Sequence, residues 1–183
     1  MGNRRQESLY PESEIRNRGL MRSLWTFRIL FVAAVALVFE TALLTNTGWA
    51  GGRPDLLIPI VCFAALYAAE PSQALWISWG VGLLRDLGTA GPLGLYALIY
   101  LAIAWILVAA RTLLFREHPI TQAAVGGACA GLAGLVSAAC TSAFDGGIPL
   151  GLALSRSAGS ALVTALAAPV LVSLMARARF LVR

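Results

Sequence analysis

The chain has 183 residues, of which 58% are hydrophobic and 13% charged, and its mean hydropathy is +0.77. A soluble domain carries about 25% charge, so the composition belongs to a polytopic membrane protein and leaves no stretch for a separate soluble domain. The net charge of +5 comes from 14 basic residues that are all Arg. They gather at the two ends beside apolar runs, which suits the cytoplasmic leaflet and anionic lipid better than nucleic acid.

Residues 1–24 form a polar tail, with Arg4, Arg5, Arg16, Arg18 and Arg22 against Glu7, Glu12 and Glu14. It reads as a mobile or interfacial cytoplasmic segment. Gly2 does not signal myristoylation, because Gln6 stands where that motif takes Ser or Thr. The first apolar run, 25–46, is long enough to span a bilayer. A basic start and Gly48-Trp49-Ala50 also resemble a cleaved signal peptide, but the long polar leader and Glu40 inside the run argue for a retained span.

The second run, Leu56–Ala69, is short for a span, so a re-entrant segment is one alternative. Asp55 can cap it, and Pro59 falls in its first turn, where proline is tolerated. Fusion with Ser72–Leu84 into one helix kinked at Pro71 is another alternative. Charge decides against fusion. With two spans the basic loop Arg111–Arg116 lies on the side of both termini, as the positive-inside bias requires. The third span covers about Ser72–Leu87, with Trp76 and Trp79 near its inner end, and the fourth covers Gly94–Leu114. Pro119 opens the fifth, about Ile120–Phe144, and the sixth runs Leu150–Met175 with a bend near Pro169. The expected architecture is therefore all-α: six transmembrane helices in a compact bundle over 25–176, then a basic C-terminus, 177–183. Both termini are cytoplasmic, and Arg53 lies in an outer loop.

Nothing in the chain predicts catalysis. His118 stands alone beside a proline, and there is no metal-ligand spacing, phosphate-binding loop or nucleophile elbow. Cys62, Cys129 and Cys140 lie in apolar runs and read as small packing residues. No enzyme, cofactor or metal is expected.

Two features rise above composition. In the fifth span, Gly127-x-x-x-Gly131 and Ala130-x-x-x-Gly134 put small residues one helical turn apart. Such a face lets backbones approach closely, either to a partner helix or inside the bundle. The second feature is the depth of Glu40, Arg85, Asp86 and Arg156, all in the outer halves of their spans. They predict either a mutually neutralising intramembrane cluster or separate snorkelling to the outer surface. Arg85 and Asp86 can also simply mark the end of the third span.

The stretch Gly80–Tyr100 carries the pattern G-x-G-L-L-R-D-L followed by G-P-L-G-L-Y-A-L-x-Y. It resembles the signature of the rod-shape-determining protein MreD family, and Arg53-Pro54-Asp55-Leu56 is similar to that family's entry to its second span. The resemblance implies a six-helix fold like the substrate-binding subunits of energy-coupling-factor transporters. It implies a non-enzymatic inner-membrane subunit of the bacterial cell-elongation machinery, supporting peptidoglycan synthesis and cell shape. Implied partners are an MreC-like scaffold and, through it, MreB, RodA and a class B penicillin-binding protein. Asp86, Gly91, Pro92 and Gly94 carry the implied motif with Arg85, and Pro54 and Asp55 extend it. A vitamin-type transporter subunit is the rival reading, and it requires convergent polar groups in an outer pocket.

Overall fold

The computed structural model describes residues 12–43, 55–89, 91–112, 118–145 and 150–180. They form α1 (Glu12–Leu43), α2 (Leu57–Tyr67), α3 (Pro71–Leu87), α4 (Leu95–Ala110), α5 (Pro119–Asp145) and α6 (Leu150–Phe180). No strand occurs among the described residues, so the protein is all-α there. Helix α1 begins at Glu12, well inside the stretch read as a mobile or interfacial tail. Its sequence supports this, because Glu12 and Glu14 each precede an arginine by four residues, the favourable order for a helix.

Three helices contain segments long and apolar enough to cross a membrane: Ser23–Ala42, Pro119–Cys140 and Leu154–Ala178. Helices α2 and α4 are apolar but shorter. With 11 residues, α2 reaches about 16 Å, roughly half of a hydrocarbon core.

The second and third runs do not fuse. Ala68 (ψ 141°) and Glu70 (φ −120°, ψ 141°) are extended, and Pro71 opens α3. A residue before proline is pushed out of the helical region, and proline itself has no N–H to continue a helix but suits a first turn. The break reverses the chain, so α1 and α3 run parallel. Thr26 accepts a hydrogen bond from Gln73 at 3.2 Å, Leu30 lies against Gly80, and Leu37 lies against Gly88.

Helix α2 occupies the centre and touches each of the other five. Every residue from Leu57 to Leu66 is buried, as suits a helix apolar all round. Around it pack Ile77 and Val81 of α3, Tyr100 and Ala104 of α4, and Ala130 and Ala133 of α5. Cys62 and Cys129 are buried free thiols.

The small-residue face of α5 is consumed within the chain. An added Cβ at Gly126 would sit 2.6 Å from the Ala168 Cβ, at Gly127 2.9 Å from that of Ala165, and at Gly134 2.9 Å from that of Ser157. Gly131 has more room, 3.6 Å to the Ala161 Cβ. As the α5 numbers rise the α6 numbers fall, so the two helices form an antiparallel hairpin at close backbone range.

Candidate functional site

Along the apolar runs, the few buried polar side chains converge where α2 begins. Asp55 Oδ1 accepts the N–H groups of Leu57 (3.1 Å) and Ile58 (3.4 Å), capping α2. Its other oxygen accepts the Tyr100 hydroxyl of α4 at 2.8 Å. The Asp55 N–H donates to Thr164 Oγ1 of α6 at 3.0 Å, and the Leu56 N–H donates to Glu40 Oε2 of α1 at 3.3 Å. A helix start inside a bilayer leaves backbone donors without water. Here protein groups take that place at a helix start buried inside the bundle.

Arg85 of α3 joins the group. Its guanidinium pairs with Glu40 Oε1, and its Nη2 lies 3.9 Å from Asp55 Oδ2. The guanidinium carbon stands 5.5 Å from the centre of the Tyr96 ring, within cation–π range. Tyr96 in turn exchanges a hydrogen bond of 2.9 Å with Ser137 of α5. One polar hub thus draws a side chain or backbone group from all six helices. Glu40 and Asp55 are 5% and 6% exposed, while Tyr100 and Thr164 are fully buried. Arg85 Nε is buried without a hydrogen-bond partner.

Asp86, next to Arg85 but turned away from it, performs a different task. Its carboxylate accepts the N–H groups of Gly94 (3.0 Å), Tyr96 (2.9 Å) and Ala97 (3.2 Å). The last turn of α3 therefore caps the first turn of α4, where a negative charge also complements the helix dipole. Gly94 holds φ +95°, a left-handed conformation that side chains with a Cβ rarely adopt. Gly82 lets the two helices touch, since a Cβ there would come within 2.4 Å of the Ala97 Cα. The pattern from Gly80 to Tyr100 is thus one hairpin specification: close approach at Gly82, cap at Asp86, reversal at Gly94.

The structure separates the sequence-predicted residues. Glu40, Arg85 and Asp55 meet in the hub, and Asp86 lies beside it as a backbone acceptor. Gly91 and Pro92 are exposed in the turn, and Gly91 has open space around it, so the steric demand falls on Gly94. Arg156 is exposed and makes no ion pair with Glu40, Asp55 or Asp86, a correction to its expected place in the cluster. The reason is angular. Helix α6 turns Ser157, Ala161, Thr164, Ala165 and Ala168 inward, and Arg156 sits about 100° around from Ser157. Gly127, Gly131 and Gly134 face α6, and Pro54 lies outside the described residues.

Sequence reasoning missed Tyr96, Tyr100, Ser137 and Thr164. A signal existed for the tyrosines, whose spacing of four puts both hydroxyl-bearing rings on one face of α4. Among the described residues, no group of three or more His, Cys, Asp or Glu side chains could hold a metal. What the arrangement does chemically is neutralise charge and fix helix rotation.

No curated protein and no solved structure matches the chain. The family model of the rod shape-determining protein MreD matches residues 21–136. That stretch is more than half of the chain and includes Glu40, Asp55, Arg85, Asp86, Tyr96 and Tyr100. With its three helices long and apolar enough to cross a membrane and its hairpin motif, the chain belongs to the rod shape-determining protein MreD family.

Proposed function

We propose that this protein is a non-enzymatic inner-membrane subunit of the cell-elongation complex, crossing the bilayer with six helices and keeping both termini cytoplasmic. In that role it binds an MreC-like scaffold and through it supports MreB, RodA and a class B penicillin-binding protein in peptidoglycan synthesis. The fold is then similar to that of energy-coupling-factor substrate-binding subunits. The observation that carries the reading is the family match over residues 21–136. The hub supports it, because its polar groups are satisfied largely by one another rather than left convergent on a solute. Parallel packing of α1 and α3 supports a single crossing, by α2, between the end of α1 and the start of α3, as six spans require.

The test is co-purification of the full chain from membranes that contain an MreC-like protein. Recovery in fixed stoichiometry supports the reading. Recovery of the chain alone with a tightly held small molecule would overturn it in favour of a transporter subunit.

A further inference from the structure

The helices are of very unequal length. Helices α5 and α6 have 27 and 31 residues, whereas α3 and α4 have 17 and 16. At 1.5 Å per residue α3 and α4 reach only about 25 Å, some 5 Å less than a typical hydrocarbon core. Polar residues bound this hairpin on its inner side, Glu70 and Gln73 before α3 or in its first turn, and Arg111 after α4. From Leu87 to Ala110 there is no ionisable side chain except the tyrosine phenols. Leu87, Leu93 and Leu98 stand exposed at the outer turn, Trp79 stands exposed midway along α3, and Trp76 and Trp105 stand exposed toward the other end.

We infer that the α3–α4 edge is a lipid-facing surface matched to a thin bilayer, and that it thins the membrane beside it. The inference rests on α3 and α4 crossing the bilayer as proposed above. Lipid is the occupant because the exposed face is apolar from the tryptophans to the turn, and because hydrogen bonds hold the flanks of that turn. Asp86 accepts from Gly94, Tyr96 and Ala97, and the Thr89 hydroxyl donates to the Arg85 carbonyl at 3.2 Å, so both flanks of the turn are tied with Leu87 and Leu93 exposed. A span shorter than the hydrocarbon thickness draws the two leaflets together or favours short-chain lipid at its surface. On the opposite edge α5 and α6 are long enough to match an ordinary bilayer, so the thinning is one-sided.

The native tryptophans report on it directly. The full chain, with Trp25 and Trp49 replaced by Phe, is reconstituted in phosphatidylcholine whose C18 chains are brominated, mixed with unbrominated C14 or C22 monounsaturated lipid. Fluorescence from Trp76, Trp79 and Trp105 then measures which chain length displaces the quencher at this edge. A second variant also carries W76F, W79F, W105F and Leu166→Trp, and it reads the exposed face of α6. At the α3–α4 edge, C14 lipid is expected to bind at least about threefold better than C22, with little preference at position 166. Equal chain-length dependence at both edges, or a preference for C22 at the first, overturns the inference. Absence of any quenching of Trp76, Trp79 and Trp105 by brominated acyl chains would instead overturn the crossing of α3 and α4.

Discussion

Glu40 and Arg85 stand 45 residues apart in the chain and meet as an ion pair inside the bundle. Helix α1 packs only against α2 and α3 among the described helices, and it buries Glu40. In lipid no hydrophobic effect drives helices together, so such a pair fixes rotation and depth that apolar packing leaves free. Removing one partner strands a buried charge, at a cost of about 3–5 kcal/mol. Glu40→Ala and Arg85→Ala should each lower the midpoint of thermal unfolding in detergent strongly. The double variant should lose less than the sum of the two. Additive losses would mean that the two residues do not act as a pair.

Asp86 should behave as a cap rather than as an ion-pair partner. Loss of a helix cap costs about 0.5–2 kcal/mol, and Asp86 serves three N–H groups at once, so Asp86→Ala belongs at or above the top of that range. Asp86→Asn keeps an acceptor and should lose less. Hydrogen exchange should accelerate at the amides of Gly94, Tyr96 and Ala97 in the alanine variant while those of α2 stay protected. Uniform acceleration across the bundle would contradict a local capping role.

The glycines of α3 and α5 predict a graded series. Gly82→Ala drives a methyl into the α4 backbone and should be the most damaging, because backbone cannot yield as a side chain can. Gly126→Ala, Gly127→Ala and Gly134→Ala should each cost about 1–3 kcal/mol through overpacking. Gly131→Ala should be close to neutral, since its nearest neighbour lies at ordinary contact distance. Unfolding midpoints of the five variants give the order, and a large loss at Gly131 would contradict the α5–α6 register described above.

In the turn, Gly94 and Gly91 should separate. Gly94→Ala puts a Cβ on a residue at φ +95° and should cost about 1 kcal/mol or more. Gly91→Ala meets nothing within 4 Å and should be tolerated. Expression level and unfolding midpoint of the two variants test this, and equal sensitivity would show that the turn is constrained at both positions.

Much of this architecture was legible in order along the chain. Apolar runs, arginine placement and the Pro71 break are local properties, so helix number, all-α class and the separation of α2 from α3 followed from residues near one another. The Gly80–Tyr100 motif was legible as a turn for the same reason: its cap, close approach and reversal all act within a span of 21 residues. What the sequence did not determine was which buried polar groups would meet. Glu40, Asp55, Arg85, Tyr100 and Thr164 come from five different parts of the chain, and depth alone placed Arg156 with them as plausibly as Thr164. Rotation of each helix about its axis separated the two. The close fit of glycines to alanines and Ser157 turned one face of α6 toward α5, which carried Thr164 onto Asp55 and left Arg156 outside. Depth in a membrane is written in hydropathy, but azimuth is set by packing between distant segments, and only the assembled bundle decides it.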